Sequence, residues 1–140
     1  MAVADGLRPT LLRLARELRQ EKIAGVSPHQ VGLLVAIKYA PGVTVGELAA
    51  GERVSTAAMS KRVSRLERDG LVSRTQSEAD RRRVGLTLTE DGQRALRRVR
   101  SRRTAWLASR LSALSPADLA AVGAAAEPLA RLLELEEGRP

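Results

Sequence analysis

The segment "STAAMSKRVSRLERDG", residues 55–70, spaces Met59, Val63 and Leu66 at intervals of four and three. At 3.6 residues per turn those three side chains make one stripe, which must be buried. Ala57, Lys61, Ser64, Arg65 and Arg68 project to the opposite face, so the same helix carries a basic surface. Gly70 is placed to end it, as a glycine just past a helix commonly does. Two short runs then change the period to two: "LVSRTQ" and "VGLTLT", with Val84, Leu86 and Leu88 alternating onto one side. Their connection is "SEADRRR", residues 77–83. A helix with one apolar and one basic face, a glycine stop and a hairpin with a cationic tip is therefore expected here.

Other helices are marked by their starts, where a Ser or Thr hydroxyl can accept from the orphan amides of a first turn. Ser27, with Pro28 and Gln30 behind it, opens "SPHQVGLLVAIKY"; Thr44 with Glu47 opens the short "TVGELAAGE"; and Ser55 caps the basic helix. Thr89, followed by Glu90 and Asp91, opens a long basic helix expected to reach about Ala113. Ser115, Pro116 and Asp118 open a last helix, which Pro128 is expected to kink or weaken. Leu7, Leu11, Leu14, Ala15 and Leu18 form the apolar side of an N-terminal helix. With aromatics at 1% against a hydrophobic fraction of 44%, the core must be built from Leu, Val and Ala, which suits closely packed helices. A mainly α chain with one small β-hairpin, folded as a single domain over 1–140, is the expectation.

Charge narrows the function. The formal net charge is +8, and residues 53–83 hold nine basic against four acidic side chains. Residues 94–110 hold seven basic and none acidic. Such a balance points to a polyanion, either nucleic acid or an anionic membrane surface. The chain has no cysteine, which excludes disulfides, thiolate metal sites and thiol redox sensing. His29 is the single histidine, in a helix first turn, so neither a zinc site nor a catalytic dyad is expected and a surface role is. No Ser/His/Asp set, paired-carboxylate cleft, Gly-rich phosphate loop or metal-ligand cluster stands out, so a binding protein without cofactor or metal is expected rather than an enzyme. No uncharged apolar run approaches about 18 residues, and the start lacks the pattern of a signal peptide. A soluble, cytoplasmic chain with no membrane partner follows as an expectation.

A short helix, a connection of about three residues and a second helix with a basic face is the helix-turn-helix arrangement. The major groove of B-DNA admits one α-helix, and small or hydroxylated residues near its N-terminus allow close approach. Ser55, Thr56, Ala57 and Ser60 are of that kind. Lys61 and Arg65 then reach a guanine edge or a phosphate; Arg62 and Arg68 flank them toward the backbone, with Arg62 close to the apolar stripe. A hairpin after that helix can carry Arg81, Arg82 and Arg83 to the neighbouring minor groove, which attracts arginine when narrow. Asp80, two residues before Arg82, is expected to pair with its guanidinium. The alternative for these arginines is a solvated charge run. The basic residues of 94–110 divide likewise between a solvated helix face and added attraction for a duplex. Arg103 projects on the apolar side, to snorkel, to make a structural ion pair or to meet an anionic ligand. A low-specificity, architectural DNA binder remains the competing function.

The stretches "RLERDGLVSR" and "DRRRVGLTLTEDG" resemble the MarR family of winged helix-turn-helix transcriptional regulators, and the likeness extends over nearly the whole chain. Its most specific part is Asp80, Arg82, Val84, Leu86, Leu88, Thr89 and Gly92. The resemblance implies a winged helix-turn-helix core over 27–88, flanked by dimerisation helices over 5–24 and 89–140. It implies that Arg82 enters the minor groove with Asp80 orienting it, and that Ser60 and Lys61 read the major groove. It also implies a homodimer on double-stranded DNA, joined by the Leu7 to Leu18 stripe and by Leu129, Leu132, Leu133 and Leu135. Half-sites about one helical turn apart then follow from the two-fold axis. A repressor released by a small anionic aromatic ligand, near Tyr39, Arg103 and Trp106, completes what the likeness implies.

Overall fold

The computed structural model describes residues 1–20 and 25–135. Positions 21–24 of the expected first helix and 136–140 of the last segment lie outside the described residues. The elements are α1 (Ala2–Gln20), α2 (Pro28–Tyr39), α3 (Val45–Glu52), α4 (Thr56–Arg68), β1 (Val72–Gln76), β2 (Val84–Leu88), α5 (Glu90–Leu111) and α6 (Pro116–Glu134). The architecture is mostly helical with one antiparallel hairpin, as the patterns indicate.

The caps explain why the helices start where they do. Ser27 Oγ accepts from the Gln30 amide at 3.2 Å while Gln30 Oε1 accepts from the Ser27 amide at 2.9 Å, a complete capping box. Thr44, Ser55, Thr89 and Ser115 each take the amide three residues on, to Glu47, Ala58, Gly92 and Asp118, all at 3.1 Å. Each such bond stabilises its helix by about 1 kcal/mol.

The chain divides into two compact units, Met1–Arg103 and Thr104–Pro140. In the first, Leu33, Leu34 and Ile37 of α2, Leu48 of α3, Met59, Val63 and Leu66 of α4, Leu86 of β2 and Ala95, Leu96 and Val99 of α5 are buried together. The hairpin register runs from Val72 opposite Leu88 to Gln76 opposite Val84. On its other side β2 meets the loop after α2: the Gly42 amide donates to Leu86 O at 2.9 Å, and the Leu86 amide donates to Val43 O at 2.8 Å. That approach depends on glycine, because a Cβ on Gly85 would lie 2.8 Å from the Gly42 Cα. Gly42 itself has φ +86, a conformation side-chain-bearing residues rarely adopt.

Two expectations need adjustment. Val84 shares a side with Leu86 but is 41% exposed, because it stands at the tip end of β2, beyond the edge of the core. The helix from Thr89 stops at Leu111, two residues short of Ala113. Pro128, expected to kink or weaken the last helix, lies inside α6, which continues through it to Glu134. Alanines at 120, 121 and 124–126 favour the helix strongly, and the Ala124 carbonyl that loses its donor is exposed to water.

Neither α1 nor α6 has a buried residue. Leu7, Leu11 and Leu14 of α1 stay 37–42% exposed, and Leu132 and Leu133 of α6 are 55% and 76% exposed. Among the described residues no helix is long and apolar enough to cross a membrane.

Candidate nucleic-acid interface

α3 and α4 are joined by residues 53–55 alone. Arg53 makes the corner in the left-handed region, φ 53 and ψ 43, with its amide donating to the carbonyls of Ala49 and Ala50. Ser55 then returns to extended backbone and caps α4. Met59, Val63 and Leu66 are each 0% exposed, which fixes the rotation of α4 about its axis. Ser55, Thr56, Ala57, Lys61, Arg65 and Arg68 are consequently exposed, while Ser60, Arg62 and Ser64 are half-buried. The Ser55 hydroxyl already accepts the Ala58 amide, so as a cap it is partly committed.

The hairpin is fastened to both helices of this pair. Arg74 of β1 donates to Ser64 Oγ at 3.3 Å and pairs with Glu67 at 3.4 Å, bridging the strand to α4. Ser64 is thereby a structural partner of the strand as well as a residue of the basic face. At the tip, the Arg83 guanidinium pairs with Glu47 of α3 and donates to the Gly42 carbonyl at 3.2 Å. The Arg83 hydrogen bond holds the Glu47 carboxyl below its ordinary value of 4.5, and the same bond pushes the Arg83 guanidinium up. The helix pair and the wing are thus held in one frame by two arginines whose guanidinium groups bond to neighbouring elements of the protein.

Asp80 does not do what its spacing suggested. Its carboxylate accepts the backbone amide of Arg82 at 3.0 Å, and its own amide donates to Ser77 Oγ at 3.3 Å. The Asp80 carbonyl accepts the Arg83 amide at 2.9 Å, so this acid builds the turn rather than gripping a guanidinium. Arg81 contributes its carbonyl to Gln76. Among the described residues no ion pair holds the side chains of Lys61, Arg62, Arg65, Arg68, Arg81 or Arg82. Six cations are left for a polyanion. Arg83 is the exception in the tip, because its charge is already met by Glu47.

Among the described residues Tyr39, Arg103 and Trp106 take no part in the hydrogen bonds and ion pairs of this frame. Tyr39 is 79% exposed, with Lys38 Nζ 5.8 Å from its ring centroid. Trp106 is covered by the Arg110 guanidinium at 5.0 Å. Arg103 makes no ion pair among the described residues, and its Nε is buried without a hydrogen-bond partner. Of the structural roles expected for Arg103, the ion pair is not made among the described residues.

Arg74, Glu67 and Gly42 went unnoticed in the sequence, and Glu47 was read there only as part of a helix start, not as the partner of Arg83. Arg74 is the one with a local signal, a long cation in a five-residue strand directly after the basic helix.

With this geometry in place, comparison with known proteins is decisive. A profile of the MarR family matches residues 24–83, from just before α2 to the wing tip. The HTH-type transcriptional repressor MdtR of Bacillus subtilis is 31% identical over 113 residues, 81% of this chain and 73% of that protein. The chain belongs to the MarR family. It is a winged helix-turn-helix, DNA-binding transcriptional regulator of that family. A transcriptional regulator from Pseudomonas aeruginosa PA01 has the same MarR fold, with TM-score 0.76 and 33% identity over 95% of both chains. FabT of Streptococcus pneumoniae, solved in complex with DNA, shares the fold with TM-score 0.60 at 23% identity, over 95% of this chain and 96% of that one.

Proposed function

We propose that this MarR-family chain is a cytoplasmic, homodimeric repressor that binds a pseudo-palindromic DNA operator. α4 lies in the major groove, with Thr56, Ala57, Ser60 and Lys61 against base edges and Arg62, Arg65 and Arg68 toward phosphates. The 77–83 tip reaches the adjacent minor groove with Arg81 and Arg82, while Asp80 and Arg83 hold its shape. The observation that carries this reading is the set of unpaired cations on α4 and the wing, fastened together through Arg74 and Arg83. The fold shared with FabT, which was crystallised on DNA, is consistent with that docking.

Dimerisation is supported by Leu7, Leu11 and Leu14 of α1 and by Leu132 and Leu133 of α6, which are exposed. A small anionic ligand that engages Arg103 relieves repression; the buried, unpartnered Nε supports that role.

Selection of binding sites from a random duplex pool, followed by footprinting, tests the proposal. Two inverted half-sites about 10 bp apart are expected. The selected duplex should bind about a thousandfold tighter than random DNA. Failure to enrich any sequence would leave the architectural binder as the better reading.

A further inference from the structure

Beside the basic face of α4 lies an open cleft of about 290 Å³, lined by Ser27, His29, Gln30 and Leu33 of the α2 start and by Arg62 and Arg65 of α4. Leu33 is 2% exposed and gives it an apolar floor. Ser27 and Gln30 are committed to each other through the capping box, and Gln30 Nε2 also donates to Asp69 Oδ2 at 3.5 Å. Asp69, at the C-cap of α4, is linked to the cleft through that bond, and it forms no ion pair with Arg62, Arg65 or His29 among the described residues. Two arginines and one histidine from two separate elements therefore line one concavity, and none of the three is in an ion pair among the described residues.

We propose that this cleft seats a backbone phosphate of the bound duplex, and that His29 makes DNA affinity depend on proton uptake. The inference rests on the reading that α4 lies on DNA. Arg62 and Arg65 are one turn apart on the helix that also carries Lys61, so the strand bordering the occupied groove passes the cleft. A phosphate oxygen accepts charge-assisted hydrogen bonds from guanidinium forks, and from an imidazole once it is protonated. Histidine is the side chain that ordinarily changes charge between pH 8 and 5. Because the chain has one histidine and no cysteine, few other groups confuse the readout in that range.

The sign follows from linkage. A duplex that favours protonated His29 binds tighter as pH falls, and the imidazolium adds one cation to those that displace counterions. For the wild-type chain on a random-sequence duplex, affinity should rise about three- to tenfold from pH 7.5 to 5.5 at fixed ionic strength. The slope of log affinity against log salt should steepen by about 0.9 over the same change. His29→Gln should lose both effects, with the same affinity and salt slope at pH 7.5 and 5.5. His29→Arg should carry the tighter binding to both pH values.

If His29→Gln keeps the full pH dependence, the cleft holds no phosphate and the inference falls, whatever becomes of the DNA-binding reading. If the chain binds no duplex at any pH, that reading fails with it. A second arm follows the His29 ring by NMR, with inorganic phosphate alone and then with duplex. Saturation by millimolar inorganic phosphate, with no response to duplex, would assign the cleft to a free anion and overturn the proposal.

Discussion

Replacing Gly92 with alanine should destabilise the fold, although Gly92 lies in a helix where alanine is ordinarily the better residue. A Cβ at this position would sit 2.1 Å from the Leu71 carbonyl oxygen and 3.1 Å from its carbon. Real Cβ atoms essentially never come within 3.0 Å of such a neighbour, so α5 and the segment leading into β1 must part by nearly 1 Å at the least. The carbonyl cannot retreat freely, because it accepts the Thr89 amide at 3.1 Å. Thr89 Oγ1 in turn accepts the Gly92 amide and donates to the Gly70 carbonyl, so the whole α4-to-α5 junction is tied at this point. Alanine gains about 1 kcal/mol of helix propensity. Overpacking against backbone costs about 1–3 kcal/mol, and losing the Thr89 bond costs about 1 kcal/mol more. The net loss is about 2 kcal/mol, which for a chain of this length lowers Tm by roughly 8 °C. Thermal and urea unfolding at one protein concentration measure it, with Gly32→Ala as the control. Gly32 is an exposed glycine inside α2 with nothing within 4 Å of a Cβ, so that variant should gain about 0.5–1 kcal/mol. If Gly92→Ala melts at or above the wild-type temperature while Gly32→Ala behaves as stated, the close approach of α5 to Leu71 is wrong.

On DNA, Arg82→Ala should weaken binding across most sequences and flatten the salt slope by about one unit; an unchanged slope removes the tip from the contact surface. Lys61→Ala should cost about 1–3 kcal/mol, mainly on the selected operator, and equal losses on random DNA would make Lys61 a phosphate contact instead. Glu47→Gln should loosen the wing without touching DNA, read as faster amide exchange over residues 77–83 at neutral pH. Since the Glu47 carboxyl sits below its ordinary 4.5, the Arg83 latch is fully present above that pH. It opens only as pH falls through the lowered value, so wild-type wing exchange should approach that of Glu47→Gln in acid. Identical exchange in both proteins at neutral pH would show that the ion pair does not hold the tip.

What the sequence determined by itself is local. Ser27, Thr44, Ser55, Thr89 and Ser115 find their acceptor roles three residues away, and Met59, Val63 and Leu66 share a face through helix periodicity alone. The same short-range logic located Gly70 at the end of α4 and the hairpin beyond it. Only the tertiary structure decided which charges are free. Arg83 and Arg82 are adjacent arginines in one loop, yet Arg83 meets Glu47 across 36 positions while Arg82 meets no acid among the described residues. Asp80 turned to the backbone amide beside it, leaving Arg82 unpaired, and Gly92 was required by a carbonyl from a different element. Helix periodicity and capping act through neighbours a turn away, which a linear pattern records. The partner of a long side chain is set by which segments the core brings together, and that distance is absent from the chain until it folds.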